Sequence, residues 1–276
     1  GDPQSGPWRD PRAEPGEDEA RRRFVELSLS LNQPAEAAKL LNRALGSCKD
    51  PAIRARVGAE IGAVYFHSGD LKRAEAAFKQ VVEDGTDPSA TLSAARHLTE
   101  LHDKSGDAKS LAAALEHVAR LETDPEQRNA CARRLAKLAE GELNDPAKAI
   151  SAYRALVDSP WDDDALKKLQ GLYEEQGDFE GLIDVTERRA VRAKDPGEGR
   201  HLTFRAAELR TTKGRDRAAA LAAWRAYLAR FGPARDAHAQ MIPLLEQEKE
   251  WKELAWVIER DLEQAPPEDR AALAEA

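Results

Sequence analysis

The sequence has few of the residues that build metal sites, redox sites and membrane anchors. Its 276 positions include two cysteines, one methionine and 5% aromatic residues. No apolar run approaches the roughly 20 residues that a transmembrane helix requires, so we expect no direct membrane insertion. Glycine-rich phosphate loops, nucleophile elbows and kinase signatures are also missing. These absences argue against an enzyme, and we expect neither catalytic residues nor a cofactor.

Cysteine and histidine show no metal-ligand spacing. Cys48 and Cys131 lie far apart in the chain, and no two of the six histidines have the i, i+4 spacing of a helical zinc site. We therefore expect no metal site. The low cysteine content fits a reducing compartment, and we predict a cytoplasmic protein, with the periplasm as the alternative.

The charge balance argues against a nucleic-acid partner. Charged residues make up 33% of the chain, and the formal net charge is −8. Binding to phosphate backbones calls for a net basic surface, which this composition does not supply. A partner is therefore expected to be another protein or a peptide segment.

What the chain does contain is a repeat of about 36 residues. The prolines that mark it are Pro51, Pro88, Pro125, Pro160, Pro196 and Pro233. A turn such as Gly69-Asp70 or Gly106-Asp107 recurs in the same phase. No segment has the alternating pattern of a strand. Two helices in each period predict an all-α solenoid, in which every unit packs on its neighbours.

Residues 55–88 resemble a tetratricopeptide repeat (TPR). The positions that match the family pattern are Ile61, Gly62, Tyr65, Ala74, Phe78 and Pro88. Gly58 and Val81 depart from it, because the family has a large residue at the first of these positions and a small one at the second. The resemblance implies a right-handed α-solenoid of about seven helix-turn-helix repeats. A small residue at Gly62 is expected to let helix B approach, and Asp70 is expected to cap that helix.

The remaining repeats follow the same register with lower fidelity. We predict a disordered Pro-rich linker over residues 1–17 and a TPR-like superhelix over residues 18–276. The predicted repeats span residues 18–51, 55–88, 92–125, 130–160, 163–196, 201–233 and 235–267, and a further helix starts at 268–276. The last segment suggests that the sequence is a piece of a longer protein.

A column of basic residues is the strongest functional signal. In a TPR array the first helices of the repeats, the A helices, line a concave groove. The basic residues that fall on its predicted inner stripe are Arg22, Arg56, Arg96, Arg134, Lys167 and Arg205. Such a column can bind the carboxylates of an extended acidic segment or of a C-terminus. The alternative is a solvated helix face whose charges pair with neighbouring carboxylates.

These patterns favour a non-catalytic scaffold or adaptor that binds a partner protein. One alternative is a regulatory or spacer solenoid inside a larger multidomain signalling protein or enzyme. Another is a bacterial polarity or motility scaffold that recruits a small GTPase, because the Ala- and Arg-rich composition is similar to that of bacterial TPR arrays. Trp251, Trp256 and Leu244 form a second predicted surface, an apolar patch that a further repeat would cover.

Overall fold

The computed structural model describes residues 15–31, 33–160 and 162–264. Within these ranges the chain forms fourteen helices and no strand, which confirms the predicted all-α class. The chain divides into two compact units, and the division falls after Ala155. Of the predicted linker, residues 15–17 are the first residues of a helix, and the remainder lies outside the described residues. The further helix predicted at 268–276 also lies outside them.

The first unit contains four helix pairs. Its helices are α1 (Pro15–Ser30), α2 (Pro34–Ser47), α3 (Pro51–His67), α4 (Leu71–Asp84), α5 (Pro88–Ser105), α6 (Ala108–Leu121), α7 (Pro125–Glu140) and α8 (Pro146–Arg154). Each helix packs on the next one, and the A helices α1, α3 and α5 also contact one another in sequence. This nearest-neighbour packing is that of a helical solenoid.

The second unit contains three helix pairs. Its helices are α9 (Asp162–Gln176), α10 (Phe179–Arg192), α11 (Pro196–Thr212), α12 (Arg217–Phe231), α13 (Arg235–Glu248) and α14 (Trp251–Gln264). Neighbouring helices pack on one another here too. Trp224 is fully buried in this unit, and its Nε1–H donates to Thr211 Oγ1 at 2.8 Å. Phe204 and Tyr227 meet the Trp224 ring edge-on, at centroid distances of 4.9 and 6.0 Å.

Aspartate residues begin most of the helices. The aspartates whose side chains accept a backbone N–H bond at the starts of α3 to α8 are Asp50, Asp70, Asp87, Asp107, Asp124 and Asp145. Asp70 Oδ1 accepts from the Arg73 N–H at 3.2 Å, so the predicted cap of the second helix in this repeat is confirmed. Each carboxylate satisfies a backbone donor that has no partner inside the helix.

The repeating prolines begin the A helices. Pro51, Pro88 and Pro125 are the first residues of α3, α5 and α7, whereas α4 has already ended at Asp84. These three helices therefore start four or five residues before the repeat starts predicted at 55, 92 and 130. The reason is that proline lacks an N–H that would be unpaired at a first helical position, and its fixed φ suits the helix.

Gly62 determines how closely α3 and α4 approach. A Cβ atom built on Gly62 would lie 2.5 to 2.9 Å from three ring carbons of Phe78. Phe78 is fully buried, so its ring cannot move aside. The sequence prediction that a small residue here lets the second helix approach agrees with this contact.

Gly58 and Val81, the two departures from the TPR pattern, compensate for each other. A Cβ atom on Gly58 would lie 2.8 Å from Val81 Cγ2. Val81 on α4 therefore occupies the space that a large residue on α3 normally fills. The exchange of large and small residues preserves the packing of this helix pair.

Candidate functional site

The predicted inner stripe of the first unit lines a groove between α1, α3 and α5. The groove contains a cavity of about 470 Å³. Its lining residues are Arg22, Arg56, Ala59, Glu60, Ala63, Asp87, Ser89, Ala90 and Ser93. Two of the six predicted binding residues, Arg22 and Arg56, thus lie in one cavity.

Small side chains form the wall of this groove on α3. Ala59 and Ala63 are half-buried and lie one turn apart, so the backbone of α3 is accessible to a second chain. On α5, Ser89 and Ser93 are exposed, and neither hydroxyl has a hydrogen-bond partner within the described residues. The groove therefore offers room for an extended segment and free donors along one side.

The two acidic residues of the groove are already paired. Glu60 on α3 accepts bonds of 2.6 and 3.0 Å from Nε and Nη2 of Arg21 on α1, and the Arg21 side chain is only 4% exposed. Arg56 Nε donates to Asp87 Oδ2 at 2.8 Å. These ion pairs join α1 to α3 and α3 to the start of α5, and they neutralise the carboxylates that would repel an acidic ligand.

Asp87 has two roles in this groove. Its Oδ1 accepts the Ala90 N–H at 2.8 Å, which caps α5, and its Oδ2 accepts from Arg56. Burial alone would raise the pKa of Asp87, but the bonds from Ala90 and Arg56 outweigh it and hold the pKa below its usual value. The carboxylate therefore stays ionised at neutral pH and holds the Arg56 guanidinium in place.

Arg22 is the exposed cation of the groove. Within the described residues it has no carboxylate at ion-pair distance, in contrast to Arg21 beside it. Its guanidinium has donors for a bidentate bond to a carboxylate or phosphate. Of the six predicted binding residues, Arg22 is thus the best placed to bind an anionic group.

The next two residues of the basic column pair with carboxylates from other helices. Arg96 on α5 donates to Glu122, which follows α6, and to Gln127 Oε1 on α7 at 3.1 Å. Arg134 on α7 donates to Asp103 on α5. The bond from Arg96, together with the Asp124 N–H bond, keeps the pKa of Glu122 below its usual value although burial opposes this. Arg96 and Arg134 therefore join helices of successive repeats.

The last two residues of the column lie in the second unit and pair inside their own helices. Lys167 Nζ lies 2.7 Å from Asp163 Oδ2, one turn earlier on α9. Arg205 Nη1 lies 2.6 Å from Glu208 Oε2 on α11. Both side chains are about half exposed, so these contacts are ordinary surface ion pairs of helices.

The partners of the arginines in the groove are distant in the sequence and were not predicted. Arg21 and Glu60 are 39 residues apart, and Arg56 and Asp87 are 31 apart. The Asp-Pro pairs at 50–51, 87–88 and 124–125 were the available signal, because an aspartate before proline at a helix start is a capping pattern. This capping pattern would have identified Asp87 as a carboxylate held in place near the predicted inner stripe.

The apolar patch predicted around Trp251 is only partly exposed. Trp251 and Trp256 on α14 are 59% and 45% exposed, whereas Leu244 on α13 is buried in the core of the second unit. Trp256 also packs edge-on against the ring of His238, which is fully buried. Leu244 is therefore a core residue, and the exposed surface consists of the two tryptophans.

His238 and Asp261 form a buried pair that the sequence did not suggest. His238 Nδ1 lies 2.8 Å from Asp261 Oδ1, and it joins α13 to α14. Within the part of the chain that the structure describes, no group of three or more metal-ligating side chains is assembled. None of the described helices is both long and apolar enough to cross a membrane.

No family model and no curated protein matches the chain. Among the solved structures, it is similar to a tetratricopeptide repeat protein from Parabacteroides merdae, with 11% identity, a TM-score of 0.39 and coverage of 94% of this chain and 96% of that one. It is also similar to a MamA RS-1 ArsTM double mutant, with 20% identity, a TM-score of 0.36 and coverage of 72% and 97%.

A third similar structure is a signal-transduction ATPase with numerous domains from Pyrococcus horikoshii, which has a tetratricopeptide repeat sensor. It has 16% identity and a TM-score of 0.35, and the match covers 94% of this chain and 43% of that one. With TM-scores below 0.5, these likenesses carry no functional argument. The helix-pair repeat and the Gly62–Phe78 contact make the array TPR-like.

Proposed function

We propose that the chain is a non-catalytic protein-interaction scaffold and that its first unit binds an acidic segment of a partner in the groove between α1, α3 and α5. The observation that carries the proposal is the cavity of about 470 Å³, which is lined by the exposed Arg22 and by two serines whose hydroxyls have no partner among the described residues. Glu60 and Asp87 are neutralised by their own arginines, so the remaining charge of the groove is positive.

The groove fits an extended segment better than a compact ligand. Its donors lie on two different helices, Arg22 on α1 and Ser89 and Ser93 on α5, with the alanines of α3 between them. A partner carboxylate on Arg22 and backbone carbonyls beside the serines would satisfy these donors together. Charge-assisted bonds to arginine are the stronger type of hydrogen bond and give both register and affinity.

The test is fluorescence anisotropy with a labelled peptide of alternating glutamate and alanine. A peptide in which glutamine replaces glutamate is the control for charge. Arg22→Glu is expected to weaken binding about tenfold or more, which corresponds to at least ~1.4 kcal/mol. Arg43→Glu, on the exposed face of α2 and outside the groove, changes the net charge equally and is expected to retain binding.

Two results would contradict the proposal. One is equal binding of the glutamate and glutamine peptides. The other is equal loss of binding in Arg22→Glu and Arg43→Glu, which would indicate attraction to overall charge instead of a site.

A spacer role is the second candidate, and the ion pairs of Arg96 and Arg134 favour it. Both cations bond to carboxylates outside their own helices, and they link the third and fourth repeats of the first unit. A solenoid stiffened in this way can hold flanking domains of a larger protein apart. In that case the acidic peptide would not bind. Recruitment of a small GTPase stays a prediction.

A further inference from the structure

A second cavity lies on the opposite face of α3 from the groove. It has a volume of about 280 Å³ and lies between α2, α3 and α4. The lining residues on α3, none of which lines the groove, are Arg54, Ala55, Gly58, Ile61 and Tyr65. The two cavities are therefore separate, so a ligand site here is independent of the proposed function.

The cavity lies beside Gly58, a helix position that lacks a side chain. Val81 already occupies the space beside Gly58, and the residues next to it on α4, Ala76 and Ala77, are too small to fill the remaining volume. At the corresponding position, the other six repeats have Arg21, Ala95, Arg133, Leu166, Phe204 and His238. The Gly58–Val81 exchange thus preserves the helix packing, and the small side chains of Ala76 and Ala77 leave a cavity beside it.

The lining of the cavity combines an apolar floor with a charged rim. Ile61 and Val81 are buried, and Leu45 and Ala77 are half-buried, so the floor is apolar. At one end the Arg73 guanidinium lies 5.6 Å from the centre of the Tyr65 ring. The Arg73 side chain is 70% exposed, and the distance between its Nη1 and Asp70 Oδ2 is long at 3.5 Å. Arg73 therefore has capacity for a stronger anionic partner.

Of the two arginines at the rim, Arg73 is the one better placed to bind an anion. Arg54 Nη1 donates to the carbonyl oxygens of Leu45 and Cys48, at 3.0 and 3.2 Å, and so binds the C-terminal end of α2. Asp84 lies near the opposite end of α4, about 16 Å from Arg73 at 1.5 Å per helical residue. An incoming carboxylate is thus attracted to the Arg73 end.

We propose that this cavity is a second docking site, which takes one large apolar side chain of a partner segment that also places a carboxylate on Arg73. The volume lies just below the range of about 300 to 1,000 Å³ typical of small-molecule sites, which suits a single side chain. Arg73 and Ala77 lie one helical turn apart on α4, so one short segment of the partner can supply both the carboxylate and the inserted side chain. An aromatic side chain buried in this way is a typical anchor of a protein interface.

The test uses indole-3-propionate, which combines an aromatic ring and a carboxylate in one small molecule. It is titrated into the ¹⁵N-labelled chain, and the backbone amide resonances are followed by NMR. We expect a saturable shift of the resonances of Gly58, Ala76 and Ala77. The uncharged analogue indole-3-propionamide is expected to bind at least about threefold more weakly, and Arg73→Gln is expected to remove that difference.

Ala76→Phe supplies the variant that blocks the site. Ala76 is exposed on α4, so a larger residue there leaves the core intact and covers the cavity. Ala113→Phe on the exposed face of α6 is the matched control. Ala76→Phe should abolish the saturable shift, and Ala113→Phe should not change it. No saturable shift in the parent chain, an unchanged shift in Ala76→Phe, or equal binding of both indoles would overturn the proposal.

Discussion

Single residues determine the packing in this array, and the glycines show this most directly. Gly62 lies in contact with the Phe78 ring, whereas Gly171 on α9 has no atom within 4 Å of a Cβ position. Replacing a helical glycine by alanine gains up to about 1 kcal/mol where space is available, and overpacking costs about 1 to 3 kcal/mol where it is not. The same substitution therefore has opposite signs at the two sites.

We predict that Gly62→Ala lowers the free energy of unfolding by about 1 to 2 kcal/mol and that Gly171→Ala raises it by a few tenths to about 1 kcal/mol. Urea unfolding followed by circular dichroism measures both. Stabilisation by Gly62→Ala would contradict the close approach of α3 and α4. The repeat register predicts a small residue at Gly62, and the structure adds the contact with the Phe78 ring that determines the size of the effect.

His97 is expected to make the first unit sensitive to mild acid. Its ring stacks on Phe78 at a centroid distance of 4.8 Å and lies 5.3 Å from the ring of Phe66. Burial lowers the pKa of His97 from its ordinary value of 6.5; Glu100 opposes this shift, and His67 adds to it. The unfolded chain therefore binds a proton at a higher pH than the folded chain, and stability decreases as the pH falls below about 6.5.

The measurement is the free energy of unfolding at pH values of about 7.5 and 5.5 for the parent chain and for His97→Phe. Phenylalanine retains the aromatic stacking and does not titrate, so the variant should lose less stability on acidification. His117, whose pKa is also lowered by burial and by Arg120, contributes equally to both proteins. An identical decrease in the free energy of unfolding of both proteins would mean that protonation of His97 does not affect stability.

The sequence predicted the helices better than it predicted the contacts between distant residues. The number of helices, their pairing and the Asp70 cap follow from local periodicity, because turn chemistry and apolar spacing act within a few residues. The starts of α3, α5 and α7 were placed too late, since the predicted repeats end at Pro51, Pro88 and Pro125, which are the first residues of these helices. Partners far apart in sequence, such as Arg56 and Asp87, have no local signal at all.

Asp87 stabilises both the start of α5 and the junction of α5 with α3. Asp87→Ala removes both the cap and the bond from Arg56, and we expect a loss of about 2 kcal/mol in the free energy of unfolding. Asp145→Ala, which removes only the cap of α8 at its Lys148 N–H, is expected to cost about 1 kcal/mol. Equal effects in urea unfolding would show that the Arg56 bond adds nothing.

For the whole molecule, the basic column separates into three groups. Arg22 and Arg56 line the groove of the first unit, Arg96 and Arg134 bond to other helices, and Lys167 and Arg205 pair within their own helices. A residue's position in a repeat predicts the face of its helix, but not whether a carboxylate from elsewhere already binds it. Arg22, which has no carboxylate partner among the described residues, was therefore indistinguishable in the sequence from the paired arginines.

The most direct measurement is an NMR titration of the chain with the glutamate–alanine peptide carrying a nitroxide spin label. Binding in the groove should broaden the amide resonances of Ala59, Ala63, Ser89 and Ser93, and Arg22→Glu should remove the broadening. The resonances of Gly58 on α3 and Ala77 on α4, which line the second cavity on the opposite face of α3, should broaden less. Uniform broadening over the surface, or broadening that persists in Arg22→Glu, would contradict the assignment of this groove as the partner-binding site.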